Sequence, residues 1–151
     1  MKVFISQIPE EGLNLEETQD VSKWNMDSPD IHYKGKIHLK GLFLRTVNTV
    51  KAHIKVHTTR EMRCSRCLEI FTQEIDEEFD FYYSISEHPT SIEVDDDVRQ
   101  EIILNFPLKT LCKKDCKGLC PVCGKNLNYG KCNCNSKYIH IFYKEEKDGS
   151  T

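Results

Sequence analysis

Six of the chain's eight cysteines fall within 23 residues, in Cys112-Lys-Lys-Asp-Cys116-Lys-Gly-Leu-Cys120-Pro-Val-Cys123-Gly and Cys132-Asn-Cys134. The other two form a second short pair, Cys64-Ser-Arg-Cys67. Two thiolates separated by two residues can grip one metal ion across a tight turn, and soft sulfur ligands in sets of four select tetrahedral zinc. In Cys120-Pro-Val-Cys123-Gly124 the proline presets φ for that turn, and the glycine permits close backbone approach behind a metal. Eight cysteines make two tetrads with none left over. Cys120, Cys123, Cys132 and Cys134 are compact enough to hold one ion by themselves. Cys64, Cys67, Cys112 and Cys116 would then hold a second ion and cross-link distant parts of the chain. A competing grouping places Cys112, Cys116, Cys120 and Cys123 on one ion and leaves Cys132 and Cys134 idle. The expected cofactor is one or two zinc ions.

Two other uses of cysteine compete. A secreted disulfide framework would follow a signal peptide, and Met1–Pro9 has no apolar core long enough for one. A redox Cys-x-x-Cys pair belongs after a strand and opening a helix in a βαβ unit, and no such unit is visible. His53 and His57 lie on a charged strand pattern and His140 in another, none at ligand spacing. An all-thiolate tetrad leaves no open coordination position and so generates no metal hydroxide. There is no Ser/His/Asp ordering, phosphate-cradling glycine loop or His-Glu-x-x-His motif. The expectation is no catalytic residue and no enzyme.

The elements that must position these thiols follow from length and patterning. A chain of 151 residues with 38% hydrophobic content points to one modest core that staples would help. No stretch approaches the roughly 18 apolar residues of a membrane span, so a cytoplasmic location without membrane contact is expected. Residues 3–8 read as a short strand, then a turn-rich acidic segment with Pro9, Gly12 and Asn14. Ile31–Leu44 reads as a strand interrupted by Gly35 and Gly41, either marking a turn or bulge. Val50, Ala52, Ile54 and Val56 alternate with Lys51, His53, Lys55 and His57, a half-buried strand. Phe71, Ile75, Phe79, Phe81, Tyr83 and Ile85 share one face of another strand, with Thr72, Glu74, Asp76, Glu78 and Asp80 on the other.

The last two strands fit a hairpin with Cys64 and Cys67 near its tip. The expected register sets Val56 opposite Ile75, Ala52 opposite Phe79 and Val50 opposite Phe81. On the other face it sets Lys55 against Asp76, His53 against Glu78 and Lys51 against Asp80. Asp95, Asp96 and Asp97 read as the cap of a short amphipathic helix through Val98 and Ile102, stopped by Pro107. Tyr138–Phe142 reads as a last strand.

Net charge is −3 but is blocked along the chain. Residues 32–68 carry nine basic and one acidic side chain, and residues 69–101 one basic and twelve acidic. Such blocks pair within a fold or face partners of opposite sign. Lys109, Lys113, Lys114, Lys117, Lys125, Lys131 and Lys137 surround the cysteines almost without acidic neighbours. They are either a solvated surface or a phosphate-backbone contact surface, with Tyr129 and Tyr138 as candidate stacking groups.

Cys64-Ser-Arg-Cys67 in a β-rich setting, Glu101-Ile-Ile-Leu-Asn-Phe-Pro107 and Cys116-Lys-Gly-Leu-Cys120-Pro-Val-Cys123-Gly-Lys-Asn-Leu-Asn128 together resemble the YceD-like family, described as large ribosomal RNA subunit accumulation proteins. The resemblance runs from about residue 10 to 135 and brings no catalytic residues. It implies a ribosome-biogenesis factor whose partner is large-subunit ribosomal RNA or a precursor particle. A rival reading is an adaptor for a basic ribosomal protein, held by the acidic faces. The third is a thiol redox protein. No small-molecule substrate is expected. The expected architecture is α+β. Residues 1–107 form a β-rich core carrying Cys64 and Cys67 at a hairpin tip. Residues 108–144 form a zinc-ribbon-like module, and 145–151 a disordered tail.

Overall fold

Period-two burial shapes most of this molecule, a computed structural model that describes residues 1–88 and 90–134. Strand β1 is Lys2–Phe4, β2 Leu13–Asp20, β3 Ile31–Arg45, β4 Thr49–Arg63, β5 Ile70–Ser84 and β6 Ser91–Glu93, followed by the helix α1, Asp95–Leu104. Strands β2, β3, β4 and β5 form a four-stranded sheet in that order, and β1 pairs with β6. The architecture is therefore β-rich α+β with antiparallel pairing. In β4 the even positions Val50, Ala52, Ile54 and Val56 are buried, matched in β3 by Ile37, Leu39 and Phe43. Burying each such side chain stabilises by roughly 1.5–3 kcal/mol. That outweighs any one ion pair on the opposite face, at about 0.2–1 kcal/mol.

Several details differ from the sequence expectations. Residues 3–8 are not one strand, because β1 stops at Phe4 and Ile5–Gln7 form a 3₁₀ turn. The acidic segment contains an eight-residue strand, β2, whose inward positions after Leu13 and Leu15 are Glu17 and Gln19. Gln19 makes this possible by satisfying its polar atoms internally. It accepts from Trp24 Nε1 at 3.0 Å and donates to Glu17 Oε1 at 2.9 Å and Asp95 Oδ2 at 3.0 Å.

Gly35 and Gly41 have separate jobs. The β3–β4 register shifts between Lys34 and His38, where Gly35 takes φ +76°, a conformation cheap only for glycine. Gly41 lies in regular strand, and a Cβ there would meet Phe43 Cε2 at 2.7 Å.

Backbone bonds at the two ends of the hairpin, Cys64 N to Glu69 O and Ile85 N to Asn48 O, set its register two residues from the expected one. Lys55 Nζ bonds Glu78 at 2.7 Å, His53 Nδ1 meets Asp80 at 2.8 Å and His57 Nδ1 meets Asp76 at 2.7 Å. Two expected pairs also stay in contact, His53 Nε2 with Glu78 at 3.4 Å and Lys51 with Asp80 at 3.1 Å, and Lys51 lies over the Tyr82 ring. A two-residue slip leaves every side chain on its original face, so alternation alone cannot separate the two registers.

Helix α1 buries Val98 and Ile102 and ends before Pro107. Its N-cap is Val94, without a side-chain cap bond. The three aspartates still suit the positive end of the helix dipole, but two of their side chains tie the helix to strands. Asp95 accepts from Gln19, and Asp97 accepts from Tyr83. Burial, then the adjacent Asp97 carboxylate, pushes the Tyr83 hydroxyl well above its ordinary range. A group with a raised folded-state pKa stabilises below its unfolded value, near 10, and loses that contribution as pH rises further. Stability should therefore fall above about pH 10, and Tyr83→Phe should flatten that fall in alkaline urea titrations. An unchanged alkaline slope in the variant would remove Tyr83 as the cause.

Backbone contacts divide the chain into two compact units. One holds residues 1–62 and 72–108, and the other holds residues 63–71 with the chain from Lys109 onward. The hairpin tip thus clusters with the cysteine-rich segment, whereas the sequence assigned it to the sheet. Tyr138–Phe142, Lys137, His140 and the tail from residue 145 lie outside the described residues.

Candidate metal centre and its basic surface

The second unit is built on two turns that are chemically the same. Cys64 N donates to Glu69 O at 2.8 Å, and Leu68 N donates to Cys64 O at 2.9 Å. Cys120 N likewise donates to Lys125 O at 2.8 Å, and Gly124 N to Cys120 O at 2.9 Å. In each turn the fourth residue after the first cysteine has positive φ, +61° at Leu68 and +72° at Gly124. Glycine takes that conformation freely, and leucine does so at a cost. Nothing lies within 4 Å of a Cβ built on Gly124. Its positive φ is what calls for glycine here.

Each turn presents a pair of thiols, and the chain brings a second pair to each. Cys64, Cys67, Cys112 and Cys116 form one set; Cys120, Cys123, Cys132 and Cys134 form the other. Within each set all sulfur atoms lie within 4.8 Å of one another. The Cys64–Cys116, Cys67–Cys112 and Cys120–Cys132 sulfur separations are 3.7, 3.6 and 3.4 Å. A disulfide would need about 2.05 Å. Tetrahedral zinc with bonds near 2.3 Å sets ligand sulfurs about 3.8 Å apart. The thiol sets fit that ion.

Their electrostatics agree. Burial opposes ionisation of Cys64, but N–H groups of Cys67, Cys112 and Arg66 outweigh it and hold that thiol at about 6. N–H groups of Cys123 and Val122 hold Cys120 at about 6. Cys112 is pushed up to about 12, by burial and then its neighbouring thiols, and Cys134 to about 12, chiefly by Cys123. Four thiols this close cannot all ionise without a cation among them.

The sets differ in their surroundings. Cys64, Cys67 and Cys116 are buried, with Phe71, Leu111, Cys112 and Leu119 packed against them. In the other set Cys120 is buried, Cys123 exposed and the remaining two half-buried. The tip and the C-terminal segment are laced by backbone bonds. Ser65 N donates to Thr110 O at 2.8 Å, Leu119 N to Arg66 O at 3.2 Å, and Arg66 Nη1 to Cys116 O at 2.9 Å. Gly118, at φ +71°, passes so close to Arg66 O that a Cβ would lie 3.1 Å away.

Sequence reading passed over Asn128. Its side chain accepts from Lys117 N at 2.9 Å and donates to Asn126 Oδ1 at 2.9 Å and Cys116 Sγ at 3.3 Å. It fixes the loop beside one thiol and supplies a donor to the sulfur. The signal was present in the repeated Asn-Leu-Asn that follows Gly124-Lys125.

Lys109, Lys113, Lys114, Lys117, Lys125 and Lys131 are all exposed on this unit, with Asp115 and Glu69 as the acidic residues among its described residues. Lys125 Nζ donates to Lys131 O at 2.9 Å, capping the loop between them. Among the described residues no helix is long and apolar enough to cross a membrane.

Residues 85–144 match the family described as "Large ribosomal RNA subunit accumulation protein YceD". Over 57 residues the chain is 35% identical to "Large ribosomal RNA subunit accumulation protein YCED homolog 1, chloroplastic" of Arabidopsis thaliana. That stretch is 38% of this chain and only 15% of the plant protein. No solved structure matches.

Proposed function

With residues 85–144 identified as a YceD-family segment, we propose that this chain is a non-catalytic, cytoplasmic factor that supports accumulation of large-subunit ribosomal RNA. In this reading Cys64, Cys67, Cys112 and Cys116 hold one zinc ion, and Cys120, Cys123, Cys132 and Cys134 a second. Zinc supplies folding energy here and no open position for chemistry. The observation that carries the reading is the coincidence on one unit of two four-thiol sets and six exposed lysines. Each zinc tetrathiolate has a formal charge of about −2. Even after that subtraction the basic residues of the unit leave it positive, a surface suited to phosphate.

A second reading has an observation of its own. Strand β5 carries Glu74, Asp76, Glu77, Glu78 and Asp80 and no basic residue, and it is an outer strand of the sheet. An adaptor for a basic ribosomal protein would use this strand.

Sedimentation of tagged protein from lysate on sucrose gradients, at low and moderate salt, tests both. Co-migration with large-subunit precursors that weakens as salt rises is the expected result. Protein that stays at the top of the gradient at both salts would reject particle binding and favour the adaptor.

A further inference from the structure

A cleft of about 640 Å³ opens on the cysteine-rich unit, lined among others by Lys117, Leu127, Tyr129, Lys131 and Cys134. Its size falls in the range of roughly 300–1,000 Å³ typical of small-ligand clefts. Tyr129 is the conspicuous group. The residue is 74% exposed, yet both its backbone and its hydroxyl are tied down. Its N–H donates to Asn126 O at 3.3 Å, and its hydroxyl donates to Glu69 Oε2 at 3.1 Å. An aromatic face fixed in orientation and left exposed is a stacking platform without a ring partner among the described residues. Exposing it costs apolar area and gains nothing for the fold.

We propose that this cleft seats one unpaired base of single-stranded RNA, stacked on Tyr129, with the sugar-phosphate backbone along Lys117 and Lys131. The inference rests on the RNA-binding reading above and adds the kind of nucleic acid and the residue that grips it. Duplex RNA keeps its bases inside the helix and offers no free face to a tyrosine, whereas unpaired bases can be splayed onto one. Charge sets the direction. The Glu69 carboxylate beside the tyrosine hydroxyl repels phosphate and so disfavours a backbone path on that side. The two lysines at the rim take the phosphates. Stacking of this kind tolerates any base, so the site selects strandedness more than sequence.

The test uses the zinc-loaded full chain and fluorescence anisotropy with two labelled RNAs, a uridine decamer and a fully paired duplex. Tyr129→Leu is expected to weaken decamer binding about tenfold or more, the order expected for one lost stacked base, and to leave duplex binding and zinc content unchanged. Tyr129→Phe keeps the ring and is expected to stay within about threefold of the parent on the decamer. If the parent binds RNA and Tyr129→Leu binds the decamer equally well, the cleft proposal is overturned while the RNA reading stands. If the parent binds neither RNA, the reading beneath it falls as well.

Discussion

Cys64→Ser is expected to lose one of two zinc ions and to melt the cysteine-rich unit, leaving the four-stranded sheet folded. The set containing Cys64 closes a long loop, since Cys67 and Cys112 lie 45 positions apart. Holding such a loop shut stabilises by about 4 kcal/mol on the entropy scale used for cross-links. The Cys120 set closes a shorter one, with Cys120 and Cys132 only 12 positions apart, worth about 3 kcal/mol on that scale. Burial points the same way. Three of the four thiols around Cys64 are buried, whereas Cys123 is exposed. A chelator titration should therefore strip the Cys120 set first, with modest loss of stability, and the Cys64 set later, with collapse of the unit. Zinc content by mass spectrometry and amide spectra of residues 1–62 and 72–108 report the two halves of this prediction. Cys64→Ser protein that keeps two zinc ions and its parent melting temperature would show that Cys64 is no ligand.

Short spacings reduced the eight cysteines to two groupings but did not choose between them; the structure brings together Cys64, Cys67, Cys112 and Cys116 in one set and Cys120, Cys123, Cys132 and Cys134 in the other. The unit boundary was harder to read. The Cys64–Cys67 turn continues directly from β4, so patterning assigns it to the sheet, and only long-range bonds such as Ser65 N to Thr110 O reveal its other allegiance. Alternation identified the buried face of β4 and β5 but left the register ambiguous by two residues, because side-chain period is two. The ion pairs then follow whichever register the hairpin adopts. Strand β2 escaped notice for a different reason. Two of its four inward residues, Glu17 and Gln19, are polar, and what stabilises them is a network with Trp24 and Asp95 that no local window contains. Asn128 stands between these cases. Its spacing was legible, but its bond to Cys116 Sγ depends on a loop geometry that spacing does not encode.

The lysines decide between the two readings of the charged surface, so their reversal carries the largest functional expectation. Lys113→Glu with Lys114→Glu is the cleanest pair. Both are exposed between Cys112 and Cys116, whereas Lys125 also holds a loop through Lys131 O. Each phosphate contact contributes a salt slope of about −0.7 on single strands. Losing two should flatten the slope of log affinity against log salt by about 1.4. Reversing rather than neutralising the charges should weaken RNA binding about 10- to 100-fold at low salt, with convergence toward the parent as screening rises. The competing explanation is that these lysines only balance the negative tetrathiolates. It predicts a different pattern: zinc affinity and melting temperature fall while RNA binding, measured at matched zinc loading, does not. The adaptor reading predicts a third pattern, in which Glu74→Lys on β5 weakens association with a basic ribosomal protein and the lysine variant retains it. Substituting Glu74 costs little fold stability, because it is exposed and faces none of the basic partners that hold Asp76, Glu78 and Asp80. A loss of association there would be loss of a protein partner, and the basic surface would then be what keeps the zinc unit soluble and its sulfurs charged.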